Sequence, residues 1–175
     1  MTLLQTPSQT VGPFFAYGLT PEQYSYDFKE IANGNMLKSD STEGIITIKG
    51  QVLDGHGQVI PDAMIEFWQA DNQAFGRFGT GTEKDNNFVF QTIKPKSING
   101  QAPFITVMVL MRGLLVHAYT RLYFSDEIEA NQHDEVLNSV PENRRNTLIA
   151  QKTNHSNYRF DIKMQGEGET VFFDV

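Results

Sequence analysis

From Ile45 onward the chain alternates strictly, with Ile46, Ile48, Gly50 and Val52 on one side and Thr47, Lys49 and Gln51 on the other. A period of two marks a half-buried β-strand, because successive side chains point to opposite faces. Asp54-Gly55 then supplies a hairpin turn, and residues 63–68 read as the return strand. Further strands are expected over 87–92, 104–111, 116–124, 158–164 and 170–174, the last two joined by the Gly166-Glu167-Gly168 turn. Short strands with turn signals between them predict a mainly β fold, an antiparallel β-sandwich or barrel.

Two stretches break the pattern. The first, through about Thr42, mixes Pro, Gly, Ser and Asn with Phe14, Phe15, Tyr17, Tyr24 and Tyr26 and has no sustained period. It reads as an extended N-terminal arm, and so many aromatics imply that it lies against something apolar, either this domain or another chain. The second is a short helical insertion. Residues 126–138 are polar, with Ile128, Val136 and Leu137 as apolar contacts. Ser139-Val140-Pro141-Glu142 then has the form of a capping box opening a helix to about Ala150. The expected organisation is an arm over 1–44 and a β domain over 45–175.

At 175 residues the chain suits one domain, and such a domain buries roughly 70% of its unfolded surface. A net charge of −7, with no basic stripe, argues against a nucleic-acid partner. Cysteine is absent, which excludes disulfides, thiolate nucleophiles and Cys-ligated metal. The N-terminus has no signal-peptide pattern, and the longest apolar runs, such as 105–111, are too short to cross a bilayer. A soluble cytoplasmic protein without membrane contact is expected.

No catalytic constellation stands out. His56, His117, His133 and His155 include no pair at i, i+2 on a strand or i, i+4 on a helix, the spacings that aim two imidazoles at one metal. No Gly-x-Ser-x-Gly elbow occurs, and Ser97 and Ser125 lack His–Asp company. Gly76-Arg77-Phe78-Gly79-Thr80-Gly81 lacks the lysine and the strand-to-helix context of a phosphate loop. Glu127/Glu129 and Asp134/Glu135 read as solvated faces of the helical insertion.

Several blocks, in order along the chain, resemble the intradiol ring-cleavage dioxygenases, and among them the alpha subunits of protocatechuate 3,4-dioxygenases. They are Thr6-Pro7-Ser8-Gln9-Thr10-Val11-Gly12-Pro13-Phe14-Phe15, Glu66-Phe67-Trp68-Gln69-Ala70-Asp71, Thr92-Ile93-Lys94-Pro95, Thr120-Arg121-Leu122-Tyr123-Phe124, Tyr158-Arg159-Phe160-Asp161-Ile162 and Gln165-Gly166-Glu167-Gly168-Glu169-Thr170-Val171-Phe172-Phe173. The last run is alpha-like rather than beta-like.

The resemblance implies that Fe(III) is held by a partner beta subunit through two tyrosines and a His-x-His pair. In this chain the place of that pair is Phe104-Ile105-Thr106, and no tyrosine stands between Tyr26 and Tyr119, where the ligand tyrosines would fall. No metal ligand and no catalytic residue is therefore assigned here. The resemblance further implies an obligate assembly of alpha–beta pairs cleaving protocatechuate with O2, with the arm packing on the partner. It implies that Thr10, Gly12 and Pro13 border the partner's cavity and that Arg112 reaches toward the substrate carboxylate. The stretch 72–82 is shorter than the family's, and Phe104 and Phe14 replace the family's common histidine and tyrosine. Two rival readings are a transthyretin-like β-sandwich binding module, and a self-sufficient enzyme using Asp71, Glu66 and His117.

Overall fold

The computed structural model describes residues 14–174. Ten strands follow in chain order: β1 Ile45–Gly50, β2 Val52–Leu53, β3 Met64–Gln69, β4 Ala74–Gly79, β5 Phe88–Ile93, β6 Phe104–Leu110, β7 Ala118–Phe124, β8 Ile149–Lys152, β9 Asn157–Arg159 and β10 Ile162–Lys163. Eight of them form one sheet in the order β4-β3-β6-β7-β8-β9-β1-β5, while β10 pairs with β2. The sheet is mixed rather than purely antiparallel. β1 runs parallel to β9 and β7 parallel to β8, because the helical insertion and the loops after it return the chain in the same direction.

The sheet curls until its two edges, β4 and β5, almost meet, and the arm fills the seam. Asn33 O accepts from Arg77 N on β4, Gly34 O accepts from Gln91 N on β5, and Met36 N donates to Gln91 O. The arm's described part thus lies on its own domain and satisfies edge groups that would otherwise template aggregation. This explains the glycines of β4. A Cβ at Gly76 would lie 2.5 Å from the Met36 side chain, and one at Gly79 would lie 2.6 Å from the Tyr24 hydroxyl. Glycine inside a strand marks such close backbone approach, and no strand was expected from the sequence over 74–79.

Alternation fills the barrel. Along β6, Ile105, Val107 and Val109 are buried while Phe104, Thr106, Met108 and Leu110 are only partly so. Phe67 stacks on Phe90 at 3.9 Å and meets Phe88 edge-on at 6.0 Å, joining β3 to β5 across the interior. Truncating such a phenylalanine to alanine costs about 3–5 kcal/mol.

Five sequence expectations are corrected. The Asp54 turn forms, with Asp54 Oδ1 accepting from His56 N and Gln58 N. Its return is a short ladder to β2, Leu53 opposite Val59, while β3 pairs with β4 and β6. Beyond α1 Phe14–Leu19 in the arm, the insertion is three short helices, α2 Ile128–His133, α3 Glu135–Ser139 and α4 Glu142–Arg145, because an extended residue at Asp134 splits its first part and Val140 precedes its last. Ile128, expected as an apolar contact, is 67% exposed. The expected capping box is absent: Val140 precedes a proline and is held extended, and Ser139 Oγ donates back to Val136 O. The helix expected to run to Ala150 ends at Leu148, where Ile149 and Ala150 pair with Tyr123 and Phe124. Residues 170–174 form no strand, yet Phe173 N donates to Tyr119 O and lays the tail along β7.

Candidate functional site

The fold draws together the ends of β3 and β5. Buried Gln69 donates through Nε2 to Ile93 O at 2.8 Å and accepts from Thr92 Oγ1 at 2.7 Å. Asp71 Oδ2 accepts from Lys96 N at 3.0 Å, tying together the two loops in which the resemblance placed tyrosine ligands. Phe104 and Thr106 open β6 on its outer face. The Arg121 guanidinium lies 4.2 Å over the Phe104 ring, whose other neighbour is Tyr123 at 5.9 Å. Thr106 Oγ1 stands 3.5 Å from the Tyr119 hydroxyl.

An aromatic ring capped by a guanidinium offers no donor to a ferric ion and repels one. These residues do not fit iron. Among the described residues no group of three His, Asp or Glu could hold a metal ion. The alternative set Glu66, Asp71 and His117 is not assembled either. Glu66 Oε1 pairs with Arg77 Nη2 at 2.7 Å, Asp71 holds the Lys96 amide through Oδ2 while its Oδ1 is buried without a partner, and His117 is exposed before β7. His56, His133 and His155 are likewise exposed on separate loops and helices.

Two polar clusters hold the helical insertion in place. Asp134 is fully buried: Oδ1 accepts from Leu137 N at 2.8 Å and from the Tyr123 hydroxyl at 3.1 Å, and Oδ2 accepts from Ala102 N at 2.8 Å. Burial pushes the Tyr123 phenol well above its usual range, so it remains a neutral donor. Asp126 accepts from the Tyr158 hydroxyl and pairs with Lys94 Nζ at 3.1 Å and Lys152 Nζ at 2.8 Å. Burial alone would raise its carboxyl, but the hydrogen bonds from Lys152, Lys94 and Tyr158 outweigh that and hold it at about 2.

Arg112 occupies the turn after β6, with Gly113 at φ +86°. Its side chain is 60% exposed, and Nε stands 3.1 Å from Asp62 Oδ1. Leu115 and Val116, just beyond, are also strongly exposed. Thr10, Gly12 and Pro13 lie outside the described residues. Asp62 escaped the sequence reading, although it lies just before β3, where antiparallel pairing with β6 sets it opposite Arg112.

No family model matches the chain. Curated relatives do. It is 47% identical to the protocatechuate 3,4-dioxygenase alpha chain of Burkholderia cepacia, covering 99% of each chain. It is 40% identical to the alpha chain of the same name from Pseudomonas putida, covering 98% of this chain and 97% of the other. Both alignments run over 195 positions against 175 residues here, so these relatives carry segments that this chain lacks. Among solved structures, the intradiol ring-cleavage dioxygenase of Tetranychus urticae superposes with a TM-score of 0.59 at 14% identity, covering 92% of this chain and 94% of that one. Hydroxyquinol 1,2-dioxygenase of Pseudomonas putida gives 0.54 at 16% identity, over 89% and 74%. These likenesses show a shared fold, and the end-to-end matches do not favour a free-standing transthyretin-like module. The chain belongs to the protocatechuate 3,4-dioxygenase alpha-chain family and has the fold of the intradiol ring-cleavage dioxygenases.

Proposed function

We propose that this chain is the alpha partner of a hetero-oligomeric intradiol dioxygenase whose iron belongs to a beta subunit. The pair would open protocatechuate between its two hydroxyl-bearing carbons, incorporating both atoms of O2 to give 3-carboxy-cis,cis-muconate. One observation carries this reading. In a chain related end to end to proteins named alpha chain, Phe104, under the Arg121 guanidinium, and Thr106 stand at the positions for which the resemblance implies imidazoles, and neither can supply one.

The chain's own contribution is positional. Arg112 presents an exposed guanidinium beside the exposed apolar pair Leu115–Val116. Such a surface suits burial against another chain, with the charge directed at the substrate carboxylate. The resemblance further implies that Thr10, Gly12 and Pro13 border the partner's cavity, a role suited to glycine and proline.

The test is metal analysis and visible absorption of the chain purified alone and in complex with the beta subunit. The complex should carry iron and show tyrosinate-to-iron charge transfer, and the isolated chain neither. Stoichiometric iron with that absorption in the isolated chain would overturn the reading.

A further inference from the structure

We propose that Asp62 is a positioning residue for substrate recognition. It faces one edge of the Arg112 guanidinium as an ion pair and leaves the opposite edge free to meet a carboxylate. The inference rests on the reading of Arg112 given above and extends it to a residue that nothing else assigns.

The geometry begins with the ladder. Met64 on β3 faces Leu110 on β6, and Ile65 faces Val109. The same antiparallel register, continued past the strand ends, sets Asp62 opposite Arg112. The turn carrying Asp62 is fixed rather than loose. Buried Thr80 accepts from Ala63 N through Oγ1 at 3.1 Å and donates through the same hydroxyl to Ile60 O at 2.7 Å. Thr80 N also donates to Ala63 O. Gly81 lets the chain pass so close that a Cβ there would sit 2.5 Å from Pro61 O. A carboxylate on such a support is a stationary reference point.

The pair is asymmetric in burial. The Asp62 side chain is 14% exposed, and its Oδ1 is buried with no hydrogen bond. The charge facing that oxygen is Arg112 Nε, at 3.1 Å but out of line for a hydrogen bond. Arg112 itself is mostly in solvent. A guanidinium has donors along two usable edges, and engaging Nε leaves the Nη1–Nη2 end for a bidentate carboxylate contact. A small rotation aligns Nε–H with Asp62 Oδ1 and fixes the plane of that fork. Without Asp62, a long and flexible side chain must be ordered by the substrate alone, and the entropic cost falls on binding. The Asp62 charge also repels an incoming carboxylate, but across the width of the guanidinium and in contact with solvent, where screening weakens it. Orientation therefore outweighs repulsion.

The experiment is steady-state kinetics of the assembled alpha–beta complex on protocatechuate and on catechol, which lacks the carboxylate. The variants are Asp62→Asn, Asp62→Ser, Arg112→Ala and the double Asp62→Asn/Arg112→Ala, each checked for intact assembly. Arg112→Ala should raise KM for protocatechuate by about 10- to 150-fold and leave catechol nearly unchanged. Asp62→Asn and Asp62→Ser should each raise KM for protocatechuate by about three- to tenfold, with kcat within about twofold and catechol unaffected. In the Arg112→Ala background, Asp62→Asn should add nothing. Equal losses on both substrates would mean that Asp62 acts only on structure, and an unchanged or lowered KM for protocatechuate would mean that it does not orient Arg112. Either result overturns the proposal while Arg112→Ala keeps its carboxylate-selective loss. If Arg112→Ala shows no such selectivity, the reading of Arg112 falls, and Asp62 with it.

Discussion

Replacing Asp134 by alanine removes a side chain that joins the approach to β6, the end of β7 and helix α3. Three donors lose their acceptor together: Ala102 N, Leu137 N and the Tyr123 hydroxyl. Ala102 and Tyr123 are almost wholly buried, so water cannot take the carboxylate's place. Each orphaned buried donor costs about 1–3 kcal/mol and a lost helix N-cap about 1 kcal/mol. The sum, discounted for local relaxation, is about 3–5 kcal/mol. Asparagine is a poor substitute. Its single acceptor serves either the Ala102 side or the Leu137–Tyr123 side, and its NH2 then confronts a donor on the other, so about 2–3 kcal/mol is still lost. The assay is urea denaturation of the chain at low micromolar concentration, followed by the fluorescence of Trp68, the only tryptophan. In a thermal scan the alanine variant should melt about 6–20 °C lower. A shift of the alanine variant under about 1 kcal/mol, or full rescue by asparagine, would refute the claim that this buried carboxylate holds the insertion to the barrel.

Asp126, held down at about 2, contributes stability that is present above its unfolded value near 4 and fades as pH falls through about 2. Asp126→Asn should therefore flatten the acid limb of a stability–pH curve between about 4 and 2, and an unchanged limb would contradict this. Gly34→Ala would place a Cβ 2.3 Å from Val89 O and 2.7 Å from the Phe78 ring. It should destabilise the domain by about 1–3 kcal/mol and raise amide exchange at Gln91 and Arg77, the partners of the arm. Leu115→Asp combined with Val116→Asp should leave the isolated fold intact and weaken association with the beta subunit at least about tenfold by light scattering or sedimentation. Unchanged association would remove that loop from the interface.

The barrel interior was legible because it depends on local alternation. Residues 104–110 declare a strand by their pattern, and the structure buries Ile105, Val107 and Val109 on one face. What escaped depends on partners remote in sequence. β4 was hidden because Gly76 and Gly79 serve the close approach of Met36 and Tyr24, which no window along the chain displays. The first half of β8, Ile149 and Ala150, was read as helix because the strand's character comes from pairing with β7 and β9 rather than from its own residues. The helical insertion was found, but its break at Asp134 was not, since Asp134 looks like a solvated acid until it is seen buried against Tyr123. At the candidate site, the mismatch with iron was legible through the resemblance at Phe104 and Thr106. Asp62 was not, because its place opposite Arg112 exists only once β3 and β6 are in register.

Titrating an iron-loaded beta subunit, prepared alone, with this chain tests the proposed division of labour most directly. Oxygen consumption on protocatechuate should rise with added chain and level off at one chain per iron, while this chain alone remains inactive. A beta subunit already fully active without it, or ring cleavage by this chain in isolation, would contradict its role as the partner that completes the site.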